Sequence, residues 1–357
     1  DIISWDGTVR PYANQNAYGE LFNSPNNTIF NLAIGNTTEN SNTRFSVTRQ
    51  DNQMTSHSSY NKKNIFNLNN SFTLWDSFKS DIVVNYINQQ THNRPVLTDR
   101  LMNNTAGMIS TFDNPNWYQN RYRTSLGYKY VTNDNQSMTP SENLRYNGYR
   151  AAVLDYYWDT QAKLYDESSN RLIGSYTATW NITDDLYVRG RFSADVTSNK
   201  VEDKQPNERP IAYENTGFFS LGNQNANVYY TDLLASYSKQ LFKDLKFGIV
   251  GGYTATKSQD TYVQTETKNG LSVLNWFDLN SSISPNVRNE RYNYRNNMLR
   301  DALFGTVNFN FKEKYDFQDL VEIVKILRSP GGCPWDMEQN HKSIREDFLE
   351  FLHSFFV

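Results

Sequence analysis

The sequence is poor in the residues that usually betray chemistry. It has one cysteine, Cys333, in 357 residues, so no internal disulfide can form. Its four histidines, His57, His92, His341 and His353, lack metal-ligand spacing. No apolar run approaches the ~20 residues of a membrane helix, so any crossing of a membrane must be made by strands. Neither sign of charge dominates. The 35 basic and 38 acidic residues give a net charge of -3, without the basic footprint of a nucleic-acid-binding surface. Residue 1 is Asp rather than Met and no signal peptide opens the chain. The expectation is that the start is missing or has been removed.

Aromatic residues are plentiful. Mean hydropathy is -0.74, yet 15% of residues are Phe, Trp or Tyr. That combination suits a barrel with a polar interior and aromatic belts at the two membrane interfaces. A soluble β-protein with surface tyrosines is the alternative.

The main signal is period-2 alternation. From Arg171 to Ile182, Leu172, Gly174, Tyr176, Ala178, Trp180 and Ile182 share one face. Arg171, Ser175, Thr177, Thr179 and Asn181 take the other, with Ile173 the exception. Thr183, Asp184 and Asp185 form a short turn, because their side chains bond nearby backbone groups. The strand from Leu186 to Ser198 then alternates Leu186, Val188, Gly190, Phe192, Ala194 and Val196 with Tyr187, Arg189, Arg191, Ser193, Asp195 and Thr197. Each strand reaches the roughly 9–11 residues that cross a bilayer at a tilt. A face carrying Arg189, Arg191 and Asp195 suits a wet interior and is costly against lipid.

The unit recurs. Phe66, Leu68, Phe72 and Leu74 lead into Trp75–Ser77, and Ile82, Val84 and Tyr86 return. Tyr229, Leu233, Ala235 and Tyr237 lead into Phe242–Asp244, and Leu245, Phe247, Ile249 and Tyr253 return. Phe30, Leu32 and Ile34 pair with Phe45 and Val47 across Gly35–Asn42, and Leu303, Gly305, Val307, Phe309 and Phe311 form a last strand. Short turns fall near 35–42, 76–78, 183–185, 241–244 and 312–315. Long polar loops fall near 51–62, 89–170, 199–227 and 257–300. Short turns on one side and long loops on the other are the rhythm of outer-membrane barrels. The fold class expected is therefore mainly β: a partial antiparallel transmembrane β-barrel of about nine long strands, followed by a short two-helix tail. An open sheet at membrane depth leaves backbone groups unpaired, so the segment is not expected to be a stable membrane structure alone.

Four runs carry a family resemblance across about residues 10–315. They are NKKNIFNLNNSFTLWDSFKSDIVVNYINQQTHNRP (residues 61–95), YWDTQAKLYDESSNRLIGSYTATWNITDDLYVRGRFSAD (157–195), residues 231–253, and NNMLRDALFGTVNFNFKEKY (296–315). They resemble the early barrel of SusC/RagA-type TonB-dependent transporters. The resemblance implies a barrel of about 22 strands with a plug. It implies import of glycans or peptides across the bacterial outer membrane, a SusD-like surface lipoprotein as lid, and energy delivered through TonB. The plug, the TonB-contacting segment and the second half of the barrel have no counterpart in these residues, so transport by this chain alone is not expected.

After Tyr315 the period changes from 2 to 3.6. Phe317, Leu320, Val321, Val324 and Leu327 mark one helical face. Ser329–Pro334 stops that helix. A second helix is expected, with Asp336 and Gln339 as a capping box and Ile344, Phe348, Phe351 and Leu352 as its apolar face. The run LVEIVKILRSPGGCPWDMEQNHKSIREDFLE, residues 320–350, resembles the N-terminus of MazG-type nucleoside triphosphate pyrophosphohydrolases. That family is cytosolic, all-α and Mg²⁺-dependent. Such hydrolysis needs clustered carboxylates to hold Mg²⁺ against phosphate oxygens. The family supplies Glu-Glu-x-x-Glu on one helix, and the resemblance places only Glu350 on it, as the first Glu. Phe351 and Ser354 occupy the other two positions and the sequence ends at Val357. No enzymatic activity, and no cofactor, is expected of this tail.

Two domains follow: a partial barrel over 1–315 and a truncated MazG-like helical segment over 316–357. A barrel in the outer membrane and a cytoplasmic hydrolase share no compartment, so the joint near residue 315 is expected to be chimeric. The competing functions are a MazG-type hydrolase defined by the tail and a soluble or surface carbohydrate-binding β-protein. Cys333 and Trp335 read as loop and packing residues rather than a nucleophile and a base-stacking platform. Trp75, Trp180, Tyr187 and Tyr253 read as girdle residues near strand ends, and Trp117, Tyr118, Trp158 and Trp276 as loop packing.

Overall fold

The computed structural model describes residues 1–3, 8–15, 19–95, 112–132, 144–145, 148–242, 245–284, 294–311, 317–338 and 340. Two short strands, β1 (Ile2–Ile3) and β2 (Val9–Arg10), pair near the start. Four long strands follow: β3 (Asn26–Thr37), β4 (Ser41–Gln53), β5 (Tyr60–Leu74) and β6 (Phe78–His92). A long connection then holds β7 (Val131–Thr132), β8 (Leu144–Arg145) and helix α1 (Gly148–Tyr157), which runs into a π-helical turn, Trp158–Ala162. The strands resume as β9 (Leu164–Asn181), β10 (Leu186–Gln205), β11 (Phe218–Phe242), β12 (Leu245–Glu266) and β13 (Tyr294–Phe311). Two helices close the described chain, α2 (Phe317–Leu327) and α3 (Pro334–Glu338).

Nine strands hydrogen-bond in the order β13-β12-β11-β10-β9-β6-β5-β4-β3. The fold class is mainly β, an antiparallel meander of the kind that forms part of a β-barrel. The registers follow the alternation of the sequence: Leu32 lies opposite Val47 and Ile34 opposite Phe45. By compactness the chain divides into two units. One comprises Asp1–Ile182, Val188–Leu234 and Gly252–Leu303; the other comprises Thr183–Tyr187, Ala235–Gly251 and Phe304–Val357.

The turns expected at Trp75–Ser77 and Thr183–Asp185 lie where the sequence places them, and the one expected over 35–42 tightens to 38–40. In the first unit, Trp75 and Asp76 take φ of 51° and 55° between β5 and β6, a left-handed conformation that suits tight hairpins and is unusual for a bulky residue. In the second, the Thr183 N–H donates to Leu186 O at 3.1 Å and the Leu186 N–H donates back at 3.3 Å. Residues 243–244 and 312–316 lie outside the described residues.

The strands are longer than the alternation indicates. The one expected over Leu186–Ser198 runs to Gln205, and β11 and β12 have 25 and 22 residues. A backbone ladder needs a partner strand, not an apolar face, so pairing continues after the apolar residues stop. Along the added stretch of β10, Glu202 pairs with Lys200 at 2.6 Å and Lys204 at 2.8 Å. The loops shorten to match: 54–59, 93–163, 206–217 and 267–293 replace the longer expected spans.

The expected polar loop between β6 and β9 is not structureless. It carries the molecule's clearest core: Tyr118, Val131, Ala151, Val153, Leu154, Tyr156 and Tyr157, joined by Leu21 from the segment before β3. Trp158 is fully buried beside them. Residues 148–157 hold two alanines and few β-branched residues, which favours a helix.

In the second unit, α2 begins and ends as the sequence indicates. Gly331 takes a left-handed φ of 92°, and the Cys333 N–H donates to Leu327 O at 2.9 Å, satisfying an end carbonyl. The second helix departs from expectation. It starts at Pro334, so Asp336 lies inside it and does not cap it. Proline suits the first helical position because the missing N–H would be unbonded there anyway. Gln339, Ile344, Phe348, Phe351 and Leu352 lie outside the described residues. No residue of α2 is buried. Phe317 is 78% exposed and Ile326 67%.

Candidate functional site

Strands β3 to β6 and β9 keep one register, so their side chains sort into rows. Leu32, Val47, Phe66, Tyr86 and Leu172 form one row, and Ile34, Phe45, Leu68, Val84 and Gly174 the next. Most of these large side chains are exposed, Ile34 by 65% and Phe45 by 44%. An apolar sheet face of this extent does not suit water. Toward the long loops it turns polar in one step. The row beyond Leu32–Leu172 holds Phe30, Arg49, Asn64, Asn88 and Asn170. Its polar members are joined sideways. Arg49 Nη1 donates to Asn64 Oδ1 at 2.8 Å, and Asn88 Nδ2 donates to Asn170 Oδ1 at 2.9 Å.

The opposite face is polar and charged. Arg171 donates twice to Asp195, at 2.9 and 2.5 Å. Arg191 Nε donates to Asp232 Oδ2 at 2.6 Å, Arg189 Nη2 to Asp232 Oδ1 at 3.3 Å, and Arg191 Nη2 to the Tyr230 hydroxyl at 3.4 Å. The charges noticed in β10 thus meet carboxylates on neighbouring strands. Asp232, only 4% exposed, was not singled out in the sequence. Its signal is its place opposite the apolar Leu233 and two residues past Tyr230.

At the long-loop end this face opens into two cavities that share Arg94 and Glu167. The upper has a volume of about 480 Å³ and is lined by Ser59, Asn93, Asp159, Lys163, Tyr165 and Asp203, among others. The lower, about 340 Å³, is lined by neutral polar residues including Gln89, Thr91, Asn199, Gln224 and Tyr262. A Cβ on Gly222 would lie 3.1 Å from the Tyr262 hydroxyl, so a larger residue there would have to displace that side chain. Asn93 builds the roof of the upper cavity. Its φ is 43°, its N–H donates to Tyr165 O at 2.8 Å, and its side-chain oxygen accepts from Tyr165 N at 2.7 Å. Its amide nitrogen donates to Thr160 O at 3.1 Å and Lys163 O at 3.2 Å. The Ser59 hydroxyl donates to Asn93 O.

The loops around these cavities are tied to one another. Asn207 is fully buried. Its N–H donates to Asn275 Oδ1 at 2.9 Å and its Oδ1 accepts from Asn275 N at 3.0 Å. Lys129 binds Asp155 at 2.5 Å and Glu208 at 3.5 Å. Burial alone lowers the Lys129 pKa, but the neighbouring carboxylates of Glu208 and Asp155 outweigh it and raise it. Burial pushes the His57 imidazole below its ordinary value, against a smaller opposing bond to the Leu21 backbone. Its ring packs 5.4 Å from that of Tyr157.

Of the residues weighed in the sequence, Tyr118 and Trp158 are buried in the loop core, as expected, whereas Trp276 is 47% exposed. Trp75, Trp180 and Tyr187 lie at strand ends, but Tyr253 lies well inside β12. Cys333 is partly exposed between α2 and α3. Glu350, His341 and His353 lie outside the described residues. Among the described residues no cluster of His, Cys, Asp and Glu is placed to hold a metal ion.

No family model and no curated protein matches this sequence. Solved structures do match in fold. The RagAB peptide importer in its closed-closed state aligns with TM-score 0.58 and 11% identity over 84% of this chain and 32% of that one. Its open-open state aligns with TM-score 0.58 and 10% identity over 84% and 31%. A further structure of the RagAB peptide transporter aligns with TM-score 0.58 and 12% identity over 84% and 32%. The chain spans about a third of the length of the RagAB chain it matches. At these identities the likeness is one of fold.

Proposed function

We propose that residues 1–315 are part of the membrane-spanning barrel of a TonB-dependent importer of the SusC/RagA type, seated in a bacterial outer membrane. The observation that carries this reading is the division of one sheet into an exposed apolar face and a charged face, with every long connection at the same end. Lipid against the first face and water against the second satisfies both. The fold shared with RagAB supports the reading. The complete importer would take glycans or peptides, with a SusD-like lipoprotein lid and TonB as partners. The four long connections, two of which (54–59 and 93–163) line the upper cavity, are then extracellular.

The test is fractionation. Separated by centrifugation, the chain alone is expected to pellet without detergent, because its apolar face and strand edges are open, and to be brought into solution only by detergent. A monodisperse, detergent-free chain overturns the proposal and favours a soluble carbohydrate-binding β-protein. Affinity purification of the complete importer from its own outer membrane is expected to bring down a lipoprotein lid.

A second reading concerns the tail. We infer that the chain changes protein near residue 315, from an importer's hairpin to the first helices of a MazG-like hydrolase without its carboxylate cluster. Its support is α2, none of whose residues is buried. Such a fragment would neither bind Mg²⁺ productively nor hydrolyse nucleotides. A single long sequencing read across codons 300–330 of the source genome tests this. Finding one uninterrupted native reading frame there removes the chimera.

A further inference from the structure

We propose that the upper cavity is a binding site for an organic ammonium ion, with Asp203 as its counter-charge.

The cavity holds three carboxylates and two cations, and the cations are already engaged. Lys163 binds Asp159 at 2.6 Å. Arg94 Nε donates to Glu167 at 2.9 Å. Asp203 is left over. Its hydrogen bond is from a neutral amide, Gln205 Nε2, at 3.1 Å; the charge of Lys163 also acts on it, but no cation forms a close ion pair with it among the described residues. The cavity wall therefore carries a net charge of -1 when its groups are ionised, set in a concavity where opposite charge is worth more than in bulk water. An ammonium group supplies the missing charge and donates to the free lone pairs of the carboxylate.

Two further features select an organic cation over a metal ion. The three carboxylates of the wall are not placed to share one metal ion, so a bare divalent ion finds too few ligands. The Tyr165 ring also lines the cavity, and an aromatic face beside a carboxylate suits an alkylammonium, whose methylene groups pack while its charge meets the ring quadrupole. The volume of about 480 Å³ lies within the usual range for small-molecule sites. Anions fit poorly, because both cations of the wall already hold carboxylates. The proposal stands on the cavity alone and is independent of the transport reading.

Ligand-observed NMR on the full chain folded in detergent tests it, with butylammonium as probe and butyrate and 1-butanol as its anionic and neutral counterparts. Saturable binding of butylammonium alone is expected, weakening as salt is added. Asp203→Asn keeps the size of the side chain and its acceptor for Gln205, and is expected to weaken binding at least tenfold with an unchanged circular-dichroism spectrum. Asp203→Glu keeps the charge and is expected to retain binding within a few fold. The proposal fails if butylammonium does not bind, if Asp203→Asn binds it equally, or if butyrate binds as well as the amine.

Discussion

Asn93 shows how much can rest on one side chain. It sits just past β6 with a left-handed φ of 43°, which Asn tolerates better than most residues. From there it bonds the backbone of Thr160, Lys163 and Tyr165. Asn93→Ala removes those bonds and keeps the unfavourable φ, at an expected cost of about 2–4 kcal/mol of local stability. Hydrogen exchange read by mass spectrometry over residues 156–166 measures it. Asn93→Gly, which relieves the φ but restores no bond, should fall between Ala and wild type. His57 is expected to make the stability of this region depend on pH. Burial holds its imidazole below the ordinary value of 6.5, so the folded loop favours the neutral form. That contribution is complete above 6.5 and is lost as pH falls through the lowered folded value. Protection at Tyr156 and Tyr157 is expected to decline as pH falls below about 6.5. In His57→Phe, which keeps a ring against Tyr157, the decline should flatten.

At the scale of elements, the connections β10–β11 and β12–β13 behave as one piece because Asn207 and Asn275 each donate to and accept from the other. Gly217 and Gly270, with φ of 86° and 93°, allow the two backbones to approach. A Cβ on Gly270 would lie 2.9 Å from Thr216 O. Asn275→Ala removes the side-chain oxygen that accepts from the Asn207 N–H, leaving that buried donor without its partner, and should cost about 1–3 kcal/mol. The informative outcome is correlation: hydrogen exchange over 206–217 and 267–284 should rise together in Asn275→Ala and in Gly270→Ala, while 54–59 stays unchanged. Acceleration of only one connection would show that they open separately. Within the sheet, Asp232 ties β10 to β11 by taking bonds from Arg189 and Arg191. The arginines are individually visible in the sequence as members of a polar face. The carboxylate that unites them is not, because it lies 41 residues from Arg191 and pairing at that distance depends on strand register.

For the molecule as a whole, the uneven distribution of burial matters most. The sheet exposes large apolar side chains along its length, whereas the well-buried aromatic residues collect in the connection between β6 and β9. A water-soluble protein does the reverse. Helix α2 contributes no buried residue. Ending the chain at Phe311 is therefore expected to leave the denaturation midpoint in detergent, and the strand signal in circular dichroism, unchanged. A fall in the midpoint would show that α2 packs on the sheet and would weaken the case for a foreign tail.

The sequence by itself determined the local features. Alternation is a property of neighbouring residues, so the nine strands, their two unlike faces, the turns at Trp75–Ser77 and Thr183–Asp185, and the end of α2 at Ser329–Gly332 were all legible. Where strands stop was not, because β10 to β12 continue on backbone pairing after apolar alternation has ended. The helix and core between β6 and β9 were also hidden, since Leu21, Tyr118 and Tyr157 are far apart in the sequence and share no local pattern. Only the tertiary structure decided the candidate site. Asn93, Asp203, Asp232 and the Asn207–Asn275 pair are ordinary polar residues in sequence. They acquire roles through contacts across strands and loops, and such long-range pairing leaves no local pattern to read.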